Sequence, residues 1–302
     1  VYYLLIFFVI GISLQFFLSD LTYWIKKVNK YVLYLPLPAV TFLNIYPLHI
    51  QKELWIPVGS AWIIFFLALL FFGILWQLKY IDKATFACLT LVCGLGNTSF
   101  VGYPIITTLI DKDALKYAVL VDQPGTFFAL STFGVILANL ASTGKIHPIV
   151  MLKRLFSFPP FLAFFIALIL PKSIFINSDI FNFICKNILS PVGATLLPMA
   201  LLSLGMQFSF AKNSFSYSHF SLGIFFKCIL APLFILLLLL GRDNQIGKME
   251  LTTILEIGMP PMITASVLAI EYNLQPKLAN ALAILGLPIG ILLVTIWFFI
   301  IS

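Results

Sequence analysis

Charge is what this chain lacks. Of its 302 residues, 18 are Lys or Arg and 11 are Asp or Glu, so charged residues make up 10%, against about 25% in soluble domains. A soluble globule covers its surface with charge, and this chain has too little to do so. Disorder is excluded as well, because it requires low hydrophobicity and high charge, whereas 61% of these residues are apolar or aromatic. Cysteine is scarce too: Cys88, Cys93, Cys185 and Cys228 lie in or beside apolar stretches. They form no CxxC and no zinc-like spacing with His49, His147 and His219, so they read as small packing residues. No basic run exceeds two residues, which assigns the net charge of +7 to membrane orientation and not to nucleic acid. The sequence offers no nucleophile–base pair, metal cluster or phosphate-binding loop, so an enzyme is not expected, nor a cofactor beyond a coupling ion. What remains is a chain whose main solvent is lipid.

The apolar runs predict about ten spans: Tyr2–Leu18, Val32–Pro47, Leu54–Leu78, Ala84–Ile110, Tyr117–Ala141, Pro159–Leu170 (extended back through Leu155), Ile184–Phe208, Phe220–Leu240, Met249–Ile270 and Leu278–Ile301. They are too long for barrel strands, and in hydrocarbon each must pair its own backbone groups, so the expected class is an all-α polytopic membrane protein. The first run has no basic n-region and no small-residue cleavage site, and is read as a span. Trp24, Trp55 and Trp76 sit near predicted span ends as interfacial anchors. The segment Pro148–Phe158 reads as an amphipathic surface helix.

Loops after the odd spans carry Lys26, Lys27, Lys30, Lys79, Lys83, Lys145, Lys153, Arg154, Lys212 and Lys277. The other loops carry seven, namely Lys52, Lys112, Lys116, Lys172, Lys186, Arg242 and Lys248. The richer set belongs in the cytoplasm, which puts both termini outside. The expected location is a bacterial inner (plasma) membrane.

The irregular points repeat. A shift of 160 residues carries Leu37-Pro38-Ala39-Val40 onto Leu197-Pro198-Met199-Ala200 and Gly94–Pro104 onto 254–264, the stretch holding Gly258, Pro260 and Pro261. Five spans is an odd number, so the second copy is inverted. The expectation is two inverted five-helix repeats, 1–142 and 143–302, with broken helices at spans four and nine. Such a pattern is the sequence pointer to a secondary transporter.

Span four packs Gly94, Gly96, Asn97, Thr98, Ser99, Gly102 and Pro104 into a short stretch at membrane depth. Pro104 removes an amide donor and clashes with the carbonyl of Phe100. The glycines permit unwound backbone. Asn97, Thr98 and Ser99 offer groups to satisfy the freed backbone. Span nine supplies Glu256-Ile257-Gly258-Met259-Pro260-Pro261-Met262. If both helices break near the midplane and cross, two helix N-termini face one spot, a site suited to a small carboxylate. The bland alternative is two kinked helices without a ligand.

The run Gly94 to Pro104 resembles the Asn-Thr-x-Phe-x-Gly-x-Pro signature of the auxin efflux carrier family, which includes bacterial malate and malonate permeases. Leu35–Ala39, Leu197–Leu201, Pro260–Ala269 and Pro288 resemble it as well. The resemblance implies the fold shared with bile-acid/sodium symporters. It implies a scaffold of spans one, two, six and seven and a transport domain of spans three to five and eight to ten, moving by elevator-type alternating access. Asn97 matches the family's span-four Asn. Plant members carry an Asn in the span-nine break where this chain has Ile257, Gly258 and Met259, which argues against auxin itself. A homodimer through the scaffold helices is a further expectation.

Three ionisable residues lie inside predicted spans, Asp122, Lys227 and Glu256, and such groups are functional candidates. Glu256 reads as a proton or cation site, or as an acceptor for loose backbone. Asp122 reads as a group that bonds the other repeat's broken helix, holds a coupling cation, or caps the helix section restarting after Pro124. Lys227 is expected to snorkel, with pairing to an acid as the alternative. The candidate substrate residues are Gly96, Asn97, Thr98, Ser99, Pro104, Gly258, Met259, Pro260 and Pro261. The candidate groups for coupling to H+ or Na+ are Asp122 and Glu256. The leading expectation is transport of a small organic anion. A sodium-coupled symporter and a ligand-binding membrane sensor compete with it.

Overall fold

In the computed structural model, residues 2–49, 51–142, 156–171, 178–207, 215–242 and 245–302 are described. Fourteen helices fall within these residues: α1 Tyr2–Phe17, α2 Leu21–Tyr34, α3 Pro36–Ile45, α4 Trp55–Gln77, α5 Lys83–Gly94, α6 Tyr103–Leu109, α7 Leu115–Ser142, α8 Pro159–Ile169, α9 Asp179–Gln207, α10 Tyr217–Leu240, α11 Lys248–Ile257, α12 Ile263–Glu271, α13 Pro276–Ile284 and α14 Gly286–Ile301. Among the described residues there is no strand, only an isolated antiparallel bridge between Gly96 and Pro261. Four helices, α4, α7, α9 and α10, are long and apolar enough to cross a membrane. The pair α13 and α14, bent by 44°, makes a fifth.

Most predicted spans match these helices to within a few residues. The second does not, because helix starts at Leu21, where the Asp20 carboxylate accepts the Tyr23 N–H at 2.9 Å. Lys26, Lys27 and Lys30 therefore lie on the exposed face of α2 and not in a loop. The backward extension of span six and most of the surface segment 148–158 lie outside the described residues. Trp55 and Trp76 stand exposed near the two ends of α4.

The helices pack in two sets. In one, α1 lies along the Leu196–Gln207 half of α9 and α8 lies along α3. Gly11 and Gly205 let the α1 and α9 backbones touch: a Cβ on Gly205 would come within 2.9 Å of Gly11 Cα. Small residues of this kind allow close crossing where lipid supplies no hydrophobic drive. In the other set, α5 is surrounded by α4, α7, α12 and α13. Every residue from Thr85 to Gly94 is buried, as expected of a helix apolar on all sides. Cys88, Cys93 and Cys228 are free and buried in this second set.

The breaks recur, but not with one spacing. Helix is interrupted at Leu35 and at Thr195, 160 residues apart. Helix α5 ends at Gly94 and α11 at Ile257, 163 apart. The single shift of 160 holds for the first pair and misses the second by three residues.

Candidate functional site

The two breaks meet. After α5 the chain is extended at Leu95, and the Asn97 N–H donates to the Pro260 carbonyl at 2.8 Å. The Met262 N–H donates to the Val92 carbonyl at 3.1 Å. Each break thus satisfies backbone groups of the other, which membrane burial demands. Helix resumes at Thr98 as a π-turn leading into α6, and at Ile263 as α12. The first N–H groups of each resumed helix have no acceptor within their own helix.

Pro104 does not break span four. It directly follows the π-turn Thr98–Gly102, where the Tyr103 N–H bonds to the Thr98 carbonyl, and the helix runs on through it as α6. The interruption comes earlier, at Leu95–Asn97, where Gly94 and Gly96 flank extended backbone. The span-nine interruption runs from Gly258 to Met262 and contains both prolines.

Between the two resumed helices lies a cavity of about 20 Å³, room for one water or so. Gly96, Asn97, Thr98, Ser99, Asp122, Met262 and Thr264 line it, with Leu33, Phe127 and Phe158. Phe127 and Phe158 stack across it with ring centroids 3.8 Å apart. The Asn97 amide nitrogen is buried and has no hydrogen-bond partner.

Asp122 is 1% exposed and fully engaged. One oxygen accepts from Thr98 Oγ1 at 2.5 Å. The other accepts from Ser99 Oγ at 2.6 Å, Tyr103 OH at 2.9 Å and Gln123 Nε2 at 2.6 Å. Thr98 and Ser99 thus serve a carboxylate, not the loose backbone they were expected to satisfy. The π-turn Val121–Phe127 around Pro124 carries Asp122 inward, and Trp62 Nε1 donates to the Pro124 carbonyl at 3.0 Å. Local π geometry of this sort is frequent at functional sites.

Glu256 is 0% exposed, and neither carboxylate oxygen has a hydrogen-bond partner. Its carboxylate lies against Gly102, where a Cβ would come within 2.5 Å of Oε1 and 2.7 Å of Cδ. Lys227, on the π-turn Phe226–Leu230 of α10, does not snorkel. It is 1% exposed and donates to the Ile257 carbonyl at 2.6 Å. Helix α10 starts at Tyr217, so the lysine sits roughly 15 Å along its axis, too deep for its stem to reach water.

Of the sequence candidates, Gly96, Asn97, Thr98, Ser99 and Asp122 come together at the cavity. Pro260 and Pro261 bond the other break without lining it. Gly258 ends α11 against Pro232, Met259 is buried in the core, and Pro104 and Glu256 lie off the cavity. Sequence reasoning missed Met262 and Thr264, which open α12, and the two phenylalanines. The proline pair pointed to the former. Nothing local marked the latter.

Two archaeal proteins are similar to this chain. An uncharacterized transporter of Methanocaldococcus jannaschii is 28% identical over 281 residues, covering 90% of this chain and 88% of that protein. An uncharacterized transporter of Methanothermobacter thermautotrophicus is 25% identical over 217 residues, covering 69% and 66%. The family profile described as membrane transport protein matches residues 24–298, and with its apolar helices and paired helix breaks the chain belongs to that family of integral membrane proteins.

Proposed function

We propose that this protein is a secondary transporter of a small organic anion, a mono- or dicarboxylate, working by alternating access. The observation that carries the reading is the bonded crossing of two broken helices at Asn97 and Pro260. It sets two resumed helices and the unpartnered Asn97 amide at one cavity. Helix N-termini attract anions through their free N–H groups and dipoles. A carboxylate would take its hydrogen bonds from those N–H groups, with Asn97 fixing its orientation. A cavity of about 20 Å³ is too small for such an anion, so the helix set holding Asn97 must move against the set holding Leu33 and Phe158 to admit it.

The architecture in this reading is ten spans in two inverted repeats. Support comes from two bonds at opposite ends of the second helix set. Asp111, following α6, pairs with Lys248, which opens α11. Gln275, which precedes α13, donates to Asp82, the cap of α5, at 3.2 Å. Each ties the end of one broken helix to the start of the other, as an inverted repeat would. The set containing α1, α2, α3, α8 and α9 is the scaffold, and the remaining helices carry the substrate. Glu256 takes a proton or releases one as the cycle proceeds, because an unpaired buried charge costs several kcal/mol. Both termini face outward, since Lys26, Lys27 and Lys30 of α2 together with Lys145, Lys153 and Arg154 favour the cytoplasmic side.

Counterflow of malonate in proteoliposomes tests the site. Asn97→Ala is expected to lower the rate at least tenfold while leaving the thermal unfolding midpoint within about 2 °C, because no protein group depends on that amide. Full counterflow in Asn97→Ala would sink the assignment.

A further inference from the structure

Broken half-helices offer ions two kinds of site. Their N-termini suit anions, and their C-terminal carbonyls suit a monovalent cation. At the crossover the second kind is already filled by the chain itself. The Lys227 ammonium donates to the carbonyl of Ile257, the last residue of α11. On its other side it meets Gly96 of the opposite break: a Cβ on Gly96 would lie 3.0 Å from Nζ and 3.2 Å from the Glu256 carbonyl oxygen. The ammonium therefore sits where the two breaks cross, touching both. Gly96 leaves room for it, and a larger residue would push it out.

Packing does not explain a lysine here. Burying an ammonium costs several kcal/mol, and a Leu or Met would fill the volume without that cost. What the lysine adds is positive charge at a helix C-terminus, where the dipole favours a cation. It also lies close to Glu256 without forming an ion pair to its carboxylate. The positive charge needed beside an anion at the crossover is thus built into α10.

We infer that Lys227 is a tethered cation occupying the monovalent-cation position of the crossover, so that this protein binds no sodium there and moves its anion without it. The inference rests on the transport reading of the site, and it makes Lys227 a positioning residue that acts on the anion through charge.

The test uses the purified protein in detergent, with unfolding midpoints compared in sodium, methylammonium and choline chlorides at equal ionic strength. For the wild type, sodium and choline should give the same midpoint. Lys227→Ala empties the position, and methylammonium should then raise the midpoint by about 2 °C or more over choline. Lys227→Met fills the space without charge and should respond to neither salt. A sodium-specific rise in the wild type overturns the inference, and that arm decides the matter even if Lys227→Ala does not fold. A folded Lys227→Ala indifferent to methylammonium and sodium overturns it too. Malonate counterflow by the wild type should be unchanged when choline replaces sodium, and a tenfold fall counts against the tethered cation. Absence of counterflow in every salt would sink the transport reading instead, while the midpoints would still report on Lys227.

Discussion

The Glu256 carboxylate packs on the Cα of Gly102, with no hydrogen-bond donor at either oxygen. One broken helix thus buries its acid against the only kind of residue that leaves space for it on the other. Gly102→Ala would drive a methyl group into that carboxylate. Overpacking a closed core typically costs about 1–3 kcal/mol. The midpoint of unfolding should fall accordingly, and Glu256→Ala in the same chain should restore most of the loss. Additive losses in the double variant would show that the two residues do not share the space.

Asp122 behaves in the opposite way, because four donors converge on it. Hydrogen bonds to charged groups contribute about 1.5–3 kcal/mol each. Asp122→Asn turns one acceptor into a donor facing hydroxyls and should cost about 3 kcal/mol. Thr98→Val and Ser99→Ala should each cost roughly half of that. Glu256→Gln should be close to neutral in the same unfolding measurement, because no donor is lost. If Asp122→Asn and Glu256→Gln proved equally harmful, the contrast drawn between the two acids would be wrong.

What could be seen in the sequence followed from local chemistry. Gly94 and Gly96 weaken a helix and the Pro260–Pro261 pair cannot sit in mid-helix without disrupting it, so two breaks were legible. Asn97, Thr98 and Ser99 stood out as polar groups at membrane depth. Pro104 misled, because a proline reads as a breaker in mid-helix, whereas here the π-turn Thr98–Gly102 just before it carries the helix through unbroken, and the interruption falls at Leu95 instead. Lys227 misled for a related reason. Its depth depends on where α10 begins, and the helix extends back to Tyr217, beyond the apolar run that marked it. The pairing of Glu256 with Gly102, and of Phe127 with Phe158, joins residues far apart in the chain. No local pattern encodes such contacts.

Phe127 and Phe158 stack at 3.8 Å between α7 and the start of α8, on the wall of the cavity. If the rings close the way to Asn97 and Ser99, removing one should open it. In a Ser99→Cys protein, adding Phe158→Ala is expected to speed labelling by a water-soluble thiol reagent tenfold or more. The native thiols of Cys88, Cys93 and Cys228 are buried, and Cys185, which is free and part-exposed, is changed to Ser in the background protein. An unchanged labelling rate would remove the rings from any role in access.

The Asp111–Lys248 pair gives a pH signature outside the membrane region. Lys248 holds the Asp111 carboxyl below its usual value, chiefly by hydrogen bonding to it. A lowered value in the folded protein stabilises it above the ordinary carboxylate range, about pH 4. That contribution disappears as pH falls through the lowered value. Both side chains are more than 40% exposed, at 45% for Lys248 and 41% for Asp111, so screening keeps the effect small. Lys248→Gln should therefore lower the unfolding midpoint slightly at pH 7 in low salt. The difference from the wild type should shrink in high salt and vanish near pH 2. A difference that persists at pH 2 would mean that Lys248 stabilises the start of α11 by packing, and that the link to the loop after α6 contributes nothing.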